Sequence, residues 1–249
     1  MYRLDVLVQG YPGKSVCHGA LGWSTIALLR GQGRVALVDV GSFNIRLELA
    51  KQLAARDVKR EDVTDILLTH AHWDHSVNAP LFPNATVWIG AAEMAWAEAE
   101  PWDFNALPEL HVRELAASPR TRRIVAGDEP LPGIHVIAAP GHTPGCLVYY
   151  LAGSSPPVIF SGDAAKNRAE MLSRQADMTM DAAASESSMA GIWSLWQAVP
   201  GTLLVPGHDL TMQLDADGRP EYCGQRQAGI WSWFSEDLAV TAEFDLTAP

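Results

Sequence analysis

Short, dense apolar runs bounded by glycine, proline or charge recur along this chain, and between several of them the apolar residues fall at helical intervals. "LDVLVQGY", "GWSTIALLRG" and "GRVALVDVG" are of strand length and stop at Gly or at Asp39-Val40-Gly41, so they predict three strands. "NIRLELAKQLAARD" instead places Ile45, Leu49 and Leu53 four apart with charges between them, the stripe of an amphipathic helix. "TDILLTH" returns to a buried-strand pattern. "ATVWIG" repeats it before an Ala- and Glu-rich helix, "AAEMAWAEAE", which Pro101 stops.

Residues 101–122 hold no single period; their Pro, Trp and Phe suit a cover or a short helical insert, with Trp96, Trp102 and Phe104 as candidate cover residues. A second strand series follows in "TRRIVA", "GIHVIAAPG", "CLVYYLAG" and "PVIFSGD". "SESSMAGIWSLWQAV" predicts a helix with Trp193 and Trp196 facing a core or interface, and "GTLLVPGHD" a last buried strand and turn. From Gln225 the tail reads as a helix apolar on one face, its Trp231, Trp233 and Phe234 packing on the domain or on a second subunit. No Gly/Ser linker or low-complexity tract interrupts residues 1–249, which predicts one α/β domain with helices outside strands.

Composition narrows the partners. The net charge of −11 repels polyanions, so neither nucleic acid nor an anionic membrane is an expected partner, whereas a small-molecule substrate is, with a homodimer left open. The three cysteines, Cys17, Cys146 and Cys223, are widely spaced and read as reduced thiols, with Cys146 a small buried hydrophobe. The start has no long apolar segment of signal-peptide type, and no run approaches a membrane span; the expectation is a cytoplasmic protein.

The chemistry is concentrated at "LLTHAHWDHSVN", where His70, His72, Asp74 and His75 fall within six positions after a predicted strand. On extended backbone His70 and His72 share a face about 7 Å apart, which suits two imidazoles on one ion. A polar loop with a capping Asp would account for one such residue, not for four. The run also offers more ligands than one catalytic ion takes, since that ion needs three protein ligands and an open position. Further candidates are His142 in "APGHTPGC", Asp163 in "FSGDAA" and His208 in "VPGHD", each after a predicted strand and a turn-permitting Gly. His18, His111 and His135 match no motif and read as surface or satisfied histidines.

With these residues in place, the H-x-H-x-D-H run at 70–75, the GH at 141–142, the GD at 162–163, the GH at 207–208 and the upstream "VDVG" together resemble the metallo-β-lactamase-fold hydrolases. The resemblance covers about residues 20–210 and implies a four-layer αβ/βα sandwich with two divalent metal ions, zinc first and iron or manganese as alternatives. It implies His70, His72 and His142 on the first ion, Asp74, His75 and His208 on the second, and Asp163 between them. Asp39 and Thr69 would orient ligands. A metal-bound hydroxide would then open a carbonyl ester, with Asp74 and Asp163 catalytic and Asp74 passing a proton to the leaving group.

Departures from the family patterns prune the reaction. Asp163 stands where one β-lactamase class carries a Cys ligand, so penicillin hydrolysis is not expected. RNA-processing relatives bring basic surfaces that this chain lacks. Glyoxalase II carries basic residues for glutathione after the last ligand, where this tail has only Arg219 and Arg226 as strong cations. The first expectation is a small lactone, ahead of a thioester of glyoxalase II type and of iron-dependent oxidoreductase chemistry on the same fold. Trp73 is a candidate wall of the substrate cleft. Lys166 stands near where lactonases of this superfamily often carry a Tyr; it reads either as a hold for a substrate carboxylate or, slightly favoured, as the solvated start of a helix.

Overall fold

A computed structural model describes residues 1–17 and 19–247; His18 lies outside the described residues. In chain order the strands are β1 (Arg3–Val8), β2 (Lys14–Ser15), β3 (Gly19–Ala20), β4 (Ile26–Gly31), β5 (Arg34–Val38), β6 (Asp65–Leu67), β7 (Thr86–Gly90) and β8 (Thr121–Ile124). They are followed by β9 (Ile134–Ala138), β10 (Leu147–Leu151), β11 (Val158–Gly162), β12 (Leu203–Pro206), β13 (Met212–Leu214), β14 (Pro220–Tyr222), β15 (Gly229–Ser232) and β16 (Ala242–Asp245). The helices are α1 (Arg46–Ala54), α2 (Trp73–Ser76), α3 (Ala91–Ala99), α4 (Glu109–Ala117), α5 (Arg168–Ser173) and α6 (Ala182–Ala198).

Two six-stranded sheets form, in the orders β1-β4-β5-β6-β7-β8 and β14-β13-β12-β11-β10-β9. Each strand's two faces go to different cores, which explains the dense apolar runs. In β4, Ile26 and Leu28 face α1, α3 and α4, packing near Leu49, Met94 and Val112. Ala27 and Leu29 face the other sheet, against Tyr149, Phe160 and Val205. The second sheet repeats the logic: Val148, Ile159 and Leu204 turn away from the first sheet toward Met171, Met189 and Trp196. The layers therefore run helices, sheet, sheet, helices, as the resemblance implied.

This arrangement positions the site. β5, β6 and β7 run parallel, as do β11 and β12, and the candidate residues follow the C-terminal ends of β5, β6, β11 and β12, with His142 following β9. Trp193 and Trp196 are core residues, and Cys146 is buried. Residues 101–122 contain the short helix α4. No helix among the described residues is long and apolar enough to cross a membrane.

One expectation fails. The tail after Gln225 is not helical; β15 pairs antiparallel with β16, from Gly229 opposite Asp245 to Ser232 opposite Ala242. The paired strands carry the β-branched and aromatic Ile230, Trp231 and Phe244, and that preference for pleated backbone prevails over the apolar spacing. Trp231, Trp233 and Phe234 are exposed rather than packed on the remainder of the chain.

Candidate metal centre

The side chains that the sequence singled out converge on one point between the sheet edges. Donor atoms of His70, His72 and His142 lie within 4.8 Å of one another, as do those of His70, His75 and Asp163, and those of Asp74, His75 and His208. Asp163 reaches His75 Nε2 at 3.2 Å and His208 Nε2 at 3.3 Å through Oδ1, and His142 Nε2 at 3.3 Å through Oδ2. One carboxylate thus faces both sets of imidazoles.

The outer ring nitrogens are held. His75 Nδ1 donates to Asp39 Oδ2 at 2.8 Å, His142 Nδ1 to the Met178 carbonyl at 2.9 Å, and His208 Nδ1 to the Trp23 carbonyl at 3.1 Å. Asp39 also accepts the Thr69 amide and hydroxyl, both at 2.8 Å, leaving Thr69 Oγ1 to accept from His70 Nδ1 at 3.1 Å. Asp39 therefore orients His75 directly and His70 through Thr69. These bonds fix the tautomers that leave Nε2 of all four rings as lone-pair donors toward the centre.

Two observations show that the residues fit divalent ions. His70 Nε2 is a buried atom with no hydrogen-bond partner, which is costly in a finished polar network. The donors are also imidazole and carboxylate only, the set that suits zinc, iron and manganese. Elsewhere nitrogen faces nitrogen: His142 Nε2 is 3.0 Å from His72 Nδ1, and His75 Nε2 is 3.3 Å from His208 Nε2.

Burial and charge divide the histidines when metal is removed. Burial lowers His70 well below 6.5, His72 to about 4 and His142 to about 3. Burial also opposes charge on His75 and His208, but the surrounding carboxylates together outweigh it, Asp163, Asp74 and Asp39 at His75 and Asp163 with Asp74 at His208, so His75 lies well above 6.5 and His208 above it. Against burial, His208 and His75 hold the Asp163 carboxyl well below 3.8.

A stability optimum follows for the chelator-treated protein. As pH falls below about 6.5, the unfolded chain protonates three histidines that the folded state keeps neutral, so stability declines. As pH rises above about 6.5, His75 and His208 remain charged only in the folded state, and their contribution is lost through their raised folded values. Melting temperatures from pH 4 to 9 should therefore peak near pH 6.5. A monotonic rise across that range would contradict this charge division.

The cleft over this centre has a volume of about 210 Å³ and is lined by Tyr11, Leu21, Trp23, Trp73, Lys166 and Met178, with His72, Asp74, His142, Asp163 and His208 at its floor. Trp73 contributes to that wall, its ring against Gly22, whose added Cβ would lie 2.5 Å from Trp73 Cη2. Lys166 corrects the slightly favoured sequence reading: it is buried, not a solvated helix start, with Nζ 2.9 Å from Glu170 Oε1. Lys14, from β2, pairs with Asp177 across the cleft. Trp96 packs edge-on to His72 at 6.2 Å, whereas Trp102 and Phe104 are exposed and Ala106 is what their segment supplies to the cleft.

The sequence reading passed over Trp23, Met178 and Glu93. The first two orient histidines through backbone carbonyls, for which side-chain identity carries no signal. Glu93 is fully buried and accepts from the Ala71 amide at 2.8 Å and the Thr143 hydroxyl at 2.7 Å. In the Ala- and Glu-rich run "AAEMAWAEAE" nothing sets Glu93 apart from the other glutamates.

Comparison with known proteins agrees with this architecture. The family model described as the metallo-beta-lactamase superfamily matches residues 22–208. An N-acyl homoserine lactonase of Bacillus sp is 26% identical over 166 residues, covering 65% of this chain and 62% of the relative. A hydroxyacylglutathione hydrolase of Fuscovulum blasticum is 31% identical over 177 residues, covering 71% of this chain and 58% of the relative. Both figures leave more than a third of each relative unmatched. Among solved structures, AidC, a dizinc quorum-quenching lactonase in complex with a product, superposes with a TM-score of 0.66 at 19% identity, covering 82% of this chain and 80% of that one. With the fold's four layers, the clustered donors and a family model spanning most of its length, the chain belongs to the metallo-β-lactamase superfamily.

Proposed function

We propose that this protein is a metal-dependent hydrolase of small carbonyl esters, with a lactone as its first substrate class. The observation that carries the reading is the cleft itself: His72 and His142 of the first donor set and Asp74 and His208 of the second line its floor, while aromatic and aliphatic side chains form most of its wall. Such a site takes a small, mostly apolar acyl compound and presents its carbonyl to the centre.

His70, His72 and His142 would hold one divalent ion, Asp74, His75 and His208 the second, and Asp163 both. Bound there, the ions supply Lewis acidity toward a carbonyl oxygen and lower the pKa of water. The chain's own residues supply the rest. Asp74, at the cleft floor with Oδ2 3.4 Å from His208 Nε2, is placed to hold a proton and pass it to the departing alkoxide. Lys166 Nζ is a buried cationic donor beside the reacting position. Trp23 and Trp73 supply apolar surface to the cleft wall above the floor.

A thioester is the second reading, favoured by the likeness to a hydroxyacylglutathione hydrolase. A panel of lactones, thioesters, carboxyl esters and phosphodiesters, assayed on zinc- and manganese-loaded protein, tests both. The expected order is lactone above thioester. Oxygen consumption by protein holding a single iron would overturn the hydrolase reading. Lys166→Met should lower kcat/KM on the best substrate about 10²-fold while leaving metal content unchanged, the size of effect seen for one lost oxyanion donor.

A further inference from the structure

The three residues of the first donor set come from two loops on different sheets. His70 and His72 follow β6 in the first sheet, and His142 lies between β9 and β10 in the second. Two contacts join the bases of these loops: the Leu147 amide donates to the Thr69 carbonyl at 2.9 Å, and Tyr149 Oη to the Leu68 carbonyl at 2.8 Å. Neither bonds to Ala71, between the two histidines, or to Thr143, beside His142.

Glu93 does. Its Oε1 accepts from the amide of Ala71, the residue between His70 and His72. Its Oε2 accepts from the hydroxyl of Thr143, next to His142, at 2.7 Å and from the Gly145 amide at 3.2 Å. The carboxylate has no exposed surface, so no water competes for these bonds. The packing is made for this contact: a Cβ on Gly145 would overlap the Glu93 backbone and lie 2.6 Å from the Ala92 carbonyl carbon. The rings have their own anchors, His75 on Asp39, His70 on Asp39 through Thr69, His142 on the Met178 carbonyl and His208 on the Trp23 carbonyl, but none of these joins the His70–His72 loop to the His142 loop.

We propose that Glu93 is a positioning residue for the first ion alone, a buried carboxylate that fixes the His70–His72 loop against the His142 loop and so sets that ion's affinity independently of the second. The inference rests on the reading that these three histidines hold an ion. In Glu93→Gln the side chain keeps its size, but its NH₂ group must face one of the backbone N–H groups or be taken up by Thr143 Oγ1. The loops then lose a shared acceptor and the three imidazoles their common aim.

The experiment is a competition titration of zinc against graded chelator on the full chain, repeated with cobalt(II) to follow each ion by its visible absorption, alongside melting curves of the metal-free proteins. The wild type is read first. If it binds a single ion, the dinuclear reading fails and this inference falls with it. Given two ions, Glu93→Gln is expected to weaken the first about 10–100-fold, the range for residues behind metal ligands, and the second by less than twofold. Thr143→Val, which keeps the volume and removes one donor, should show a smaller effect of the same kind. Thr143→Ser should match the wild type. These two variants carry the test if Glu93→Gln does not fold. Equal weakening of both ions, or unchanged affinities beside a lower metal-free melting temperature, would show a merely structural Glu93 and overturn the proposal.

Discussion

Asp163→Ala is expected to cost at least about 10³-fold in kcat and to reduce bound metal from two ions to one or none. Each ion's Lewis acidity is worth several kcal/mol of transition-state stabilisation, and about 4 kcal/mol is a factor of roughly 10³ in rate. Asp163 is the side chain through which the loss of one residue reaches both sets, since it faces His142 on one side and His75 and His208 on the other. A carboxylate between two dications supplies a ligand to each and offsets their repulsion; alanine supplies neither. Asp163→Asn separates the two contributions, because it keeps an oxygen in place but removes the charge. It should retain the first ion better than alanine does while still failing to hold both. Metal analysis beside steady-state kinetics decides the matter. An alanine variant with two tightly held ions and native turnover would remove Asp163 from the centre.

How much of this centre could be read from sequence depended on what each residue contributes. His70, His72, Asp74, His75, His142, Asp163 and His208 were legible because metal ligation demands side-chain types that are rare together, and the structure brings all seven to one point. Asp39 and Thr69 were legible only through the family resemblance. Nothing in "VDVG" announces that a buried aspartate there accepts from Thr69 and His75. Met178 and Trp23 were illegible in principle, since a carbonyl oxygen looks alike in every residue. Lys166 misled because its neighbours Asn167 and Arg168 are polar, while its own side chain turns inward to Glu170.

The same division holds for the fold. Strands with both faces buried, such as β4, β5 and β11, announced themselves as dense apolar runs closed by Gly or Asp. The tail hairpin has little buried apolar surface to write such a pattern, so local spacing suggested a helix that nothing in the packing supports. Cross-sheet pairing of loops, on which the first donor set depends, is a property of tertiary approach and leaves no local period at all.

Close approach also explains why a residue that binds nothing should matter nearly as much as a ligand. Gly207 sits between the end of β12 and His208, where its amide donates to the Gly162 carbonyl at 2.9 Å and its carbonyl accepts from the Thr25 amide at 2.7 Å. A Cβ built on it would overlap Asp163 Oδ1 and lie 2.7 Å from the Gly162 carbonyl oxygen. Gly207→Ala must therefore push Asp163 off its position or part β11 from β12. Overpacking of this kind typically costs about 1–3 kcal/mol of stability, which leaves the protein folded. A shift of roughly 1 Å in a reacting group can cost about 10²-fold in rate. The expected result is a kcat lowered about 10²-fold, weaker metal binding and a melting temperature only a few degrees below wild type. Gly191→Ala is the control, because Gly191 lies in α6 with open space around its missing Cβ and should gain about 0.5–1 kcal/mol of stability without changing turnover. If Gly207→Ala instead lost stability and kept full activity, the carboxylate would have to be tolerant of displacement, and a centre that depends on the placement of Asp163 could not be.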